Sequence, residues 1–98
     1  MIESAETRLR RLKMRSWRRG MKEMDLILGR FADGPLATLG AAELDAYEVV
    51  LSENDQDLYL WITARIHGGA GAGRGPAGIA AILDRIAGHA ADRLKPVR

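Results

Sequence analysis

The sequence predicts an all-α protein, a small five-helix bundle forming a single domain. Three observations predict it. At 98 residues the chain has material for one small domain. Apolar residues recur at spacings of three and four, the period of helices that bury one face. Turn-forming residues separate these stripes, and no set of strands is present from which a sheet could be built.

The first helix is expected from Ser4, a natural N-cap, to Arg19, with Leu9, Leu12 and Ser16 on one stripe and Trp17 beside it. Gly20 supplies the left-handed position at which helices commonly end. A second helix follows from Met21 to Phe31, where Met21, Met24, Leu28 and Phe31 make one apolar face. Asp33-Gly34-Pro35 closes it with turn chemistry. The third helix begins near Gly40, with Glu43 in the position of a capping-box acid, and buries Leu44, Tyr47, Val50 and Leu51. Ser52-Glu53-Asn54-Asp55 breaks the pattern, and Asn54 or Asp55 caps a short fourth helix with Leu58, Trp61 and Ile62 on its inner side. Trp61, Leu58, Tyr47 and Leu51 are read as core.

Residues 67–78 hold six glycines and read as a flexible linker, because ordering glycine costs the most backbone entropy. Pro76 suits the first turn of a final helix, in which Ile79, Ile82, Leu83 and Ile86 repeat at helical spacing. The expected organisation is a helical core over 1–66, the linker over 67–78, and a last helix and tail over 79–98 of the same domain.

Composition narrows the function. There is no cysteine, and His67 and His89 are too few for a typical all-protein zinc site. Both histidines are expected exposed. No apolar run approaches a membrane span, and nothing at the start reads as a secretory signal, so a cytoplasmic protein is expected. Net charge is +2, but residues 1–22 carry eight Lys or Arg against Glu3 and Glu6, which is +6 and leaves −4 for the rest. A basic helix joined to a mildly acidic body has the charge to meet phosphates or an acidic protein surface. No RNA- or DNA-binding motif accompanies it, and the aromatics are isolated, so nucleic acid is the weaker reading.

Gly73-Arg74-Gly75-Pro76-Ala77-Gly78 matches GxGxxG, yet about ten residues part it from the nearest candidate strand, where the nucleotide fingerprint needs a tight turn. It is read as linker. Ser4, Ser16 and Ser52 lie in helical or capping contexts without a nucleophile elbow. Asp55 and Asp57 read as helix-start acids. The sequence therefore predicts a non-catalytic protein.

The remaining feature is Arg18-Arg19-Gly20-Met21-Lys22-Glu23-Met24-Asp25, where glycine joins two helices closely. Two readings stand: a structural corner in which Glu23 pairs with Arg19, which physics alone favours, or a fixed charged hook for a partner. Arg19-Gly20-Met21-Lys22-Glu23 resembles the RGxxE signature of the SdhE family, whose mitochondrial counterpart is succinate dehydrogenase assembly factor 2. Glu23-Met24-Asp25 continues that family's E-x-D pattern. Asp55, Asp57, Leu58 and Trp61 resemble its D-x-D-L-x-x-W block, with Gln56 in place of the usual proline. The resemblance covers about residues 7–66; the glycine segment and the alanine-rich last helix are not characteristic of it.

The resemblance implies a five-helix assembly factor that binds the flavoprotein subunit of succinate dehydrogenase, and in some bacteria fumarate reductase, and promotes covalent FAD attachment there. It implies no cofactor of its own, with the chemistry on the partner; the lack of a mitochondrial-type presequence points to the bacterial branch, and a monomer is expected when free. The family's functional residues carry over to Arg19, Gly20 and Glu23, flanked by Arg18 and Asp25. Arg19 and Glu23 would offer their charges to the partner, and Gly20 would allow close backbone approach. Members of the family are also labelled antitoxins, which makes a toxin-neutralising binding module the alternative, with nucleic-acid binding through the first helix behind it.

Overall fold

The computed structural model describes residues 2–69 and 72–94. Five α-helices follow one another, and no strand occurs among the described residues: α1 (Ala5–Ser16), α2 (Lys22–Asp33), α3 (Ala41–Leu51), α4 (Asp55–Gly68) and α5 (Ala80–Leu94). Short 3₁₀ turns at Pro35–Thr38 and Ala77–Ile79 lead into α3 and α5.

The expected caps form. Ser4 Oγ accepts the Thr7 N–H at 3.1 Å, and Asn54 Oδ1 accepts those of Gln56 and Asp57 at 2.8 and 3.3 Å. Gly40 has no side chain to give, so only half of a capping box forms: its N–H donates to Glu43 Oε1 at 3.1 Å. Gly20 takes φ +87°, the left-handed conformation expected of it.

The boundaries differ where tertiary contacts win. α1 ends at Ser16, three residues short of the expected Arg19. Ser16 is buried and donates to Leu12 O at 2.7 Å, while Trp17 leaves the helix to lie against Gly29 of α2. α2 runs two residues past Phe31. After it the chain makes a 3₁₀ turn and buries Leu36 and Leu39, beyond the simple turn expected there. α4 is long, 14 residues, and takes in His67 and Gly68, which were expected in the linker. Pro76 stands just before the 3₁₀ turn rather than inside the last helix.

One core joins all five helices. Leu12, Met24, Leu28, Phe31, Tyr47, Leu58, Ile62, Leu83 and Ile86 are buried within it. Tyr47 stacks on Phe31 with ring centroids 5.5 Å apart, and His89 meets Phe31 edge-on at 5.8 Å. His89 is therefore half-buried, contrary to expectation, whereas His67 is exposed. Trp61 is half-buried rather than core; Leu58, Tyr47 and Leu51 are buried as expected. The Tyr47 hydroxyl lies 2.7 Å from Ser16 Oγ and 3.3 Å from Leu28 O, so the buried phenol has partners. Burial pushes its pKa up to about 12.

The glycine segment is not a loose tether over its described part. Arg65 of α4, with a side chain only 3% exposed, reaches Asp84 Oδ1 of α5 through Nε at 2.7 Å. Its Nη1 donates to Trp61 O at 3.1 Å and to Arg74 O at 2.9 Å. Gly73 sits so close that a Cβ there would lie 2.5 Å from both Arg65 Nη1 and Trp61 O. The glycines at 73 and 75 are thus explained by close packing on α4. Ala70 and Gly71 of that segment, and residues 95–98 of the expected tail, lie outside the described residues.

Candidate functional site

The corner between α1 and α2 is built from both sides. Trp17 lies flat on α2: a Cβ at Gly29 would stand 2.3 Å from Trp17 Cδ2, so only glycine leaves room for the indole. Trp17 Nε1 donates to Asp33 Oδ1 at 3.1 Å, and Lys13 Nζ reaches the same oxygen at 3.3 Å. The Trp17 hydrogen bond and then Lys13 hold the Asp33 carboxyl below its ordinary pKa.

Arg19 is the organising residue of this corner. Its side chain is 10% exposed, and its guanidinium donates to three acceptors: Asp55 Oδ1 at 2.8 Å, Leu51 O at 2.7 Å and Glu53 O at 3.0 Å. Leu51 O is the last carbonyl of α3, where a helix leaves its carbonyls without partners, and Glu53 O lies in the turn that follows. The third is an acid in the first turn of α4. The Arg19 N–H donates to Asp25 Oδ1 at 2.5 Å, which fixes the turn into α2. One arginine therefore ties the ends of four helices together. The expected pairing of Arg19 with Glu23 does not form, because Asp55 and the two carbonyls occupy the guanidinium. For the same reason Arg19 does not present a free guanidinium to a partner.

The other expected site residues fall into two groups. Asp25 is half-buried and holds the backbone of Arg19. Arg18, Gly20 and Glu23 are exposed, and neither Arg18 nor Glu23 has an ion pair among the described residues. A Cβ on Gly20 would meet nothing within 4 Å, so the requirement for glycine within this chain is its positive φ, not lack of space. Arg18 borders a hollow of about 430 Å³ along α1 with Arg10, Met14 and Arg15. Glu23 borders a different groove, of about 290 Å³, between α2, α4 and α5. The corner thus brings Arg18 and Glu23 near in sequence but opens them onto separate concavities.

Most of the basic charge on α1 is already neutralised within the fold. Arg8 pairs with Asp45 at 2.7 Å and Glu48 at 3.1 Å, and Arg11 pairs with Glu3 at 2.8 Å and Glu48 at 3.0 Å. Arg10 reaches Glu6 at 3.2 Å. Arg11 and then Arg8 keep the Glu48 carboxyl below its usual pKa. Of the seven basic residues from Arg8 to Arg19, only Arg15 and Arg18 lack an ion pair among the described residues. That leaves few cations for phosphates and argues against nucleic-acid binding. The GxGxxG match follows helix α4 and packs on it, not a strand, which removes the nucleotide fingerprint.

Two residues that organise the molecule escaped sequence reasoning. Arg65 had a signal: it falls on the apolar stripe of Leu58, Trp61 and Ile62, where a charge needs a buried partner. Gly29 had none beyond being a glycine inside a helix.

The fold and the corner define a five-helix bundle with a rigid, charged turn exposed at one end. The chain belongs to the family described as flavinator of succinate dehydrogenase, whose model matches residues 10–89. The match runs through the glycine segment and most of α5, parts that the sequence reading had placed outside the family's pattern. Among relatives named succinate dehydrogenase assembly factor 2, mitochondrial, that of Meyerozyma guilliermondii is 44% identical over 61 residues, 62% of this chain and 45% of the relative. That of Debaryomyces hansenii is 43% identical over 61 residues, 62% and 43% of the two chains, and that of Komagataella phaffii 42% over 59, 60% and 31%. The chain spans less than half the length of these relatives. They are named as mitochondrial, so the expectation of a bacterial-type protein is not borne out. No solved structure matches. No helix among the described residues is long and apolar enough to cross a membrane.

Proposed function

We propose that this protein docks on the flavoprotein subunit of succinate dehydrogenase and promotes covalent attachment of FAD to that subunit, holding no cofactor of its own. Membership of the flavinator family supports the outline. The observation that carries the site is Glu23: an exposed carboxylate without an ion pair among the described residues, in the first turn of α2, on a corner that Arg19 makes rigid. The backbone that carries this carboxylate is fixed before it meets a partner, so binding orders less of the chain.

Glu23 and Arg18 contact the flavoprotein. Gly20 lets the partner's backbone approach a turn with no side chain in the way. Arg19 and Asp25 are positioning residues that hold the corner. The chain contributes no catalytic group. By the family resemblance, a histidine of the flavoprotein would bond to the flavin's 8α carbon as the 8α-methyl gives up a proton and the flavin takes up the two electrons, and this chain would keep histidine and flavin aligned. Alignment of this kind lowers a barrier by several kcal/mol.

The test is flavinylation of purified apo-flavoprotein with FAD, read as in-gel flavin fluorescence with and without this protein. Glu23→Ala is expected to abolish stimulation while melting like the native protein, since Glu23 is exposed and has no ion pair or side-chain hydrogen bond among the described residues. Near-normal stimulation by folded Glu23→Ala would overturn the site assignment. Running the fumarate reductase flavoprotein beside it reads whether the activity extends to that relative.

A further inference from the structure

Helix α2 carries an apolar stripe buried in the core and, beside it, an apolar edge that the fold covers only in part. Met24, Leu28 and Phe31 are buried in the core. Ile27 flanks that stripe and packs against the core, and Leu26, like it half-buried, lies further round the helix. Glu23, Leu26, Ile27 and Arg30 stand at i, i+3, i+4 and i+7, which is one helical face about 10.5 Å long. This face is one wall of the groove of about 290 Å³; Tyr59 and Ile66 of α4 and Ala90 of α5 contribute to the others.

The ends of the groove carry opposite charges. Neither Glu23 nor Arg30 has an ion pair among the described residues, although most other charged side chains of α1 and α3 are paired. Ile27, Tyr59 and Ile66 rest on the core, so the floor is formed in advance. A preformed apolar trough two helical turns long, with an acid at one end and a guanidinium at the other, suits a short peptide segment of opposite polarity.

Building on the docking reading above, we infer that this groove receives a segment of the flavoprotein partner that carries a cation toward Glu23, a carboxylate toward Arg30 and large apolar side chains between them. The groove then gives the apolar anchoring that a lone surface carboxylate lacks, and the two end charges set the direction in which the segment lies. Charge pairs at the rim fix register more than they add affinity, and the buried apolar centre supplies most of the binding.

The experiment is calorimetric titration of purified flavoprotein with native protein, Leu26→Gln and Arg30→Glu, each first shown by circular dichroism to melt like the native chain. Leu26 is only half-buried and Arg30 is exposed, so at least the second variant keeps the fold. Both variants are expected to weaken binding by roughly fivefold or more. If both bind within threefold of native, the groove is not the docking surface, while the docking reading itself stands. If the native protein does not bind at all, the docking reading fails and this inference fails with it.

Discussion

Replacing Arg19 by alanine separates a structural arginine from a contact arginine, because the structure fixes what the guanidinium does before any partner arrives. The substitution strips donors from Asp55 Oδ1, Leu51 O and Glu53 O and leaves a gap where four helix ends meet. A hydrogen bond to a charged group contributes about 1.5–3 kcal/mol, and removing one partner of a largely buried ion pair costs about 3–5 kcal/mol. The Arg19 and Asp55 side chains are 10% and 18% exposed, so water restores part of the loss. The expected destabilisation is about 3 kcal/mol, or a fall in Tm of about 12–24 °C for a chain of this size. Arg19→Lys keeps a charge for Asp55 but cannot span both carbonyls, and it should fall between the native protein and Arg19→Ala. Thermal melts by circular dichroism decide the matter. A Tm for Arg19→Ala within 2 °C of native would mean that the guanidinium ties nothing together, and the corner would lose its stated source of rigidity.

Two further predictions follow from buried contacts. Gly73→Ala puts a Cβ 2.5 Å from Arg65 Nη1 and Trp61 O, so it should cost about 1–3 kcal/mol as overpacking in a chemical melt; a native-like midpoint would return the segment to the status of a flexible linker. Tyr47 should make stability fall with rising pH: the unfolded phenol ionises near 10 and the buried one near 12, so stability is full below pH 10 and drops through the interval to about 12, by up to about 1.4 kcal/mol per pH unit. Tyr47→Phe should remove that dependence from denaturation midpoints measured across pH 9–12, and an unchanged slope would show that the phenol is not the source.

Much of the fold was legible because local chemistry and global packing agree. Ser4, Gly40 and Asn54 each stand where a helix begins, Gly20 stands where the chain needs a positive φ, and the apolar stripes of α2, α3 and α5 face the core. What was not legible depends on contacts between residues far apart in the chain. α1 stops at Ser16 because Trp17 finds a seat on Gly29, a position that helical spacing cannot reveal. Leu36 and Leu39 are too few to show periodicity, yet both are buried. The glycine segment reads as a linker by composition, but Gly73 and Gly75 are there because α4 leaves little room for a side chain.

The corner shows the same division. Its residues were picked out by resemblance, and their exposure sorts them. Arg18, Gly20 and Glu23 face outward, whereas Arg19 and Asp25 hold the turn. A sequence shows Arg19 beside Glu23 across a glycine and suggests that they pair. Only the fold brings Asp55 and the end of α3, some 32 to 36 residues away, to the guanidinium instead. The apolar edge of α2 was hidden for a related reason: Leu26 and Ile27 look like part of a generally apolar helix until the neighbouring helices show which side stays open.

The central claim is that a rigid corner presents Glu23 to a flavoprotein and thereby promotes FAD attachment. Covalent flavin fluorescence of apo-flavoprotein, incubated with FAD and either native protein or Glu23→Ala of matched Tm, tests it most directly. The native protein should raise the fluorescent band, and Glu23→Ala should leave it at the level seen with FAD alone. Equal stimulation by the two proteins, or none by the native one, would contradict it.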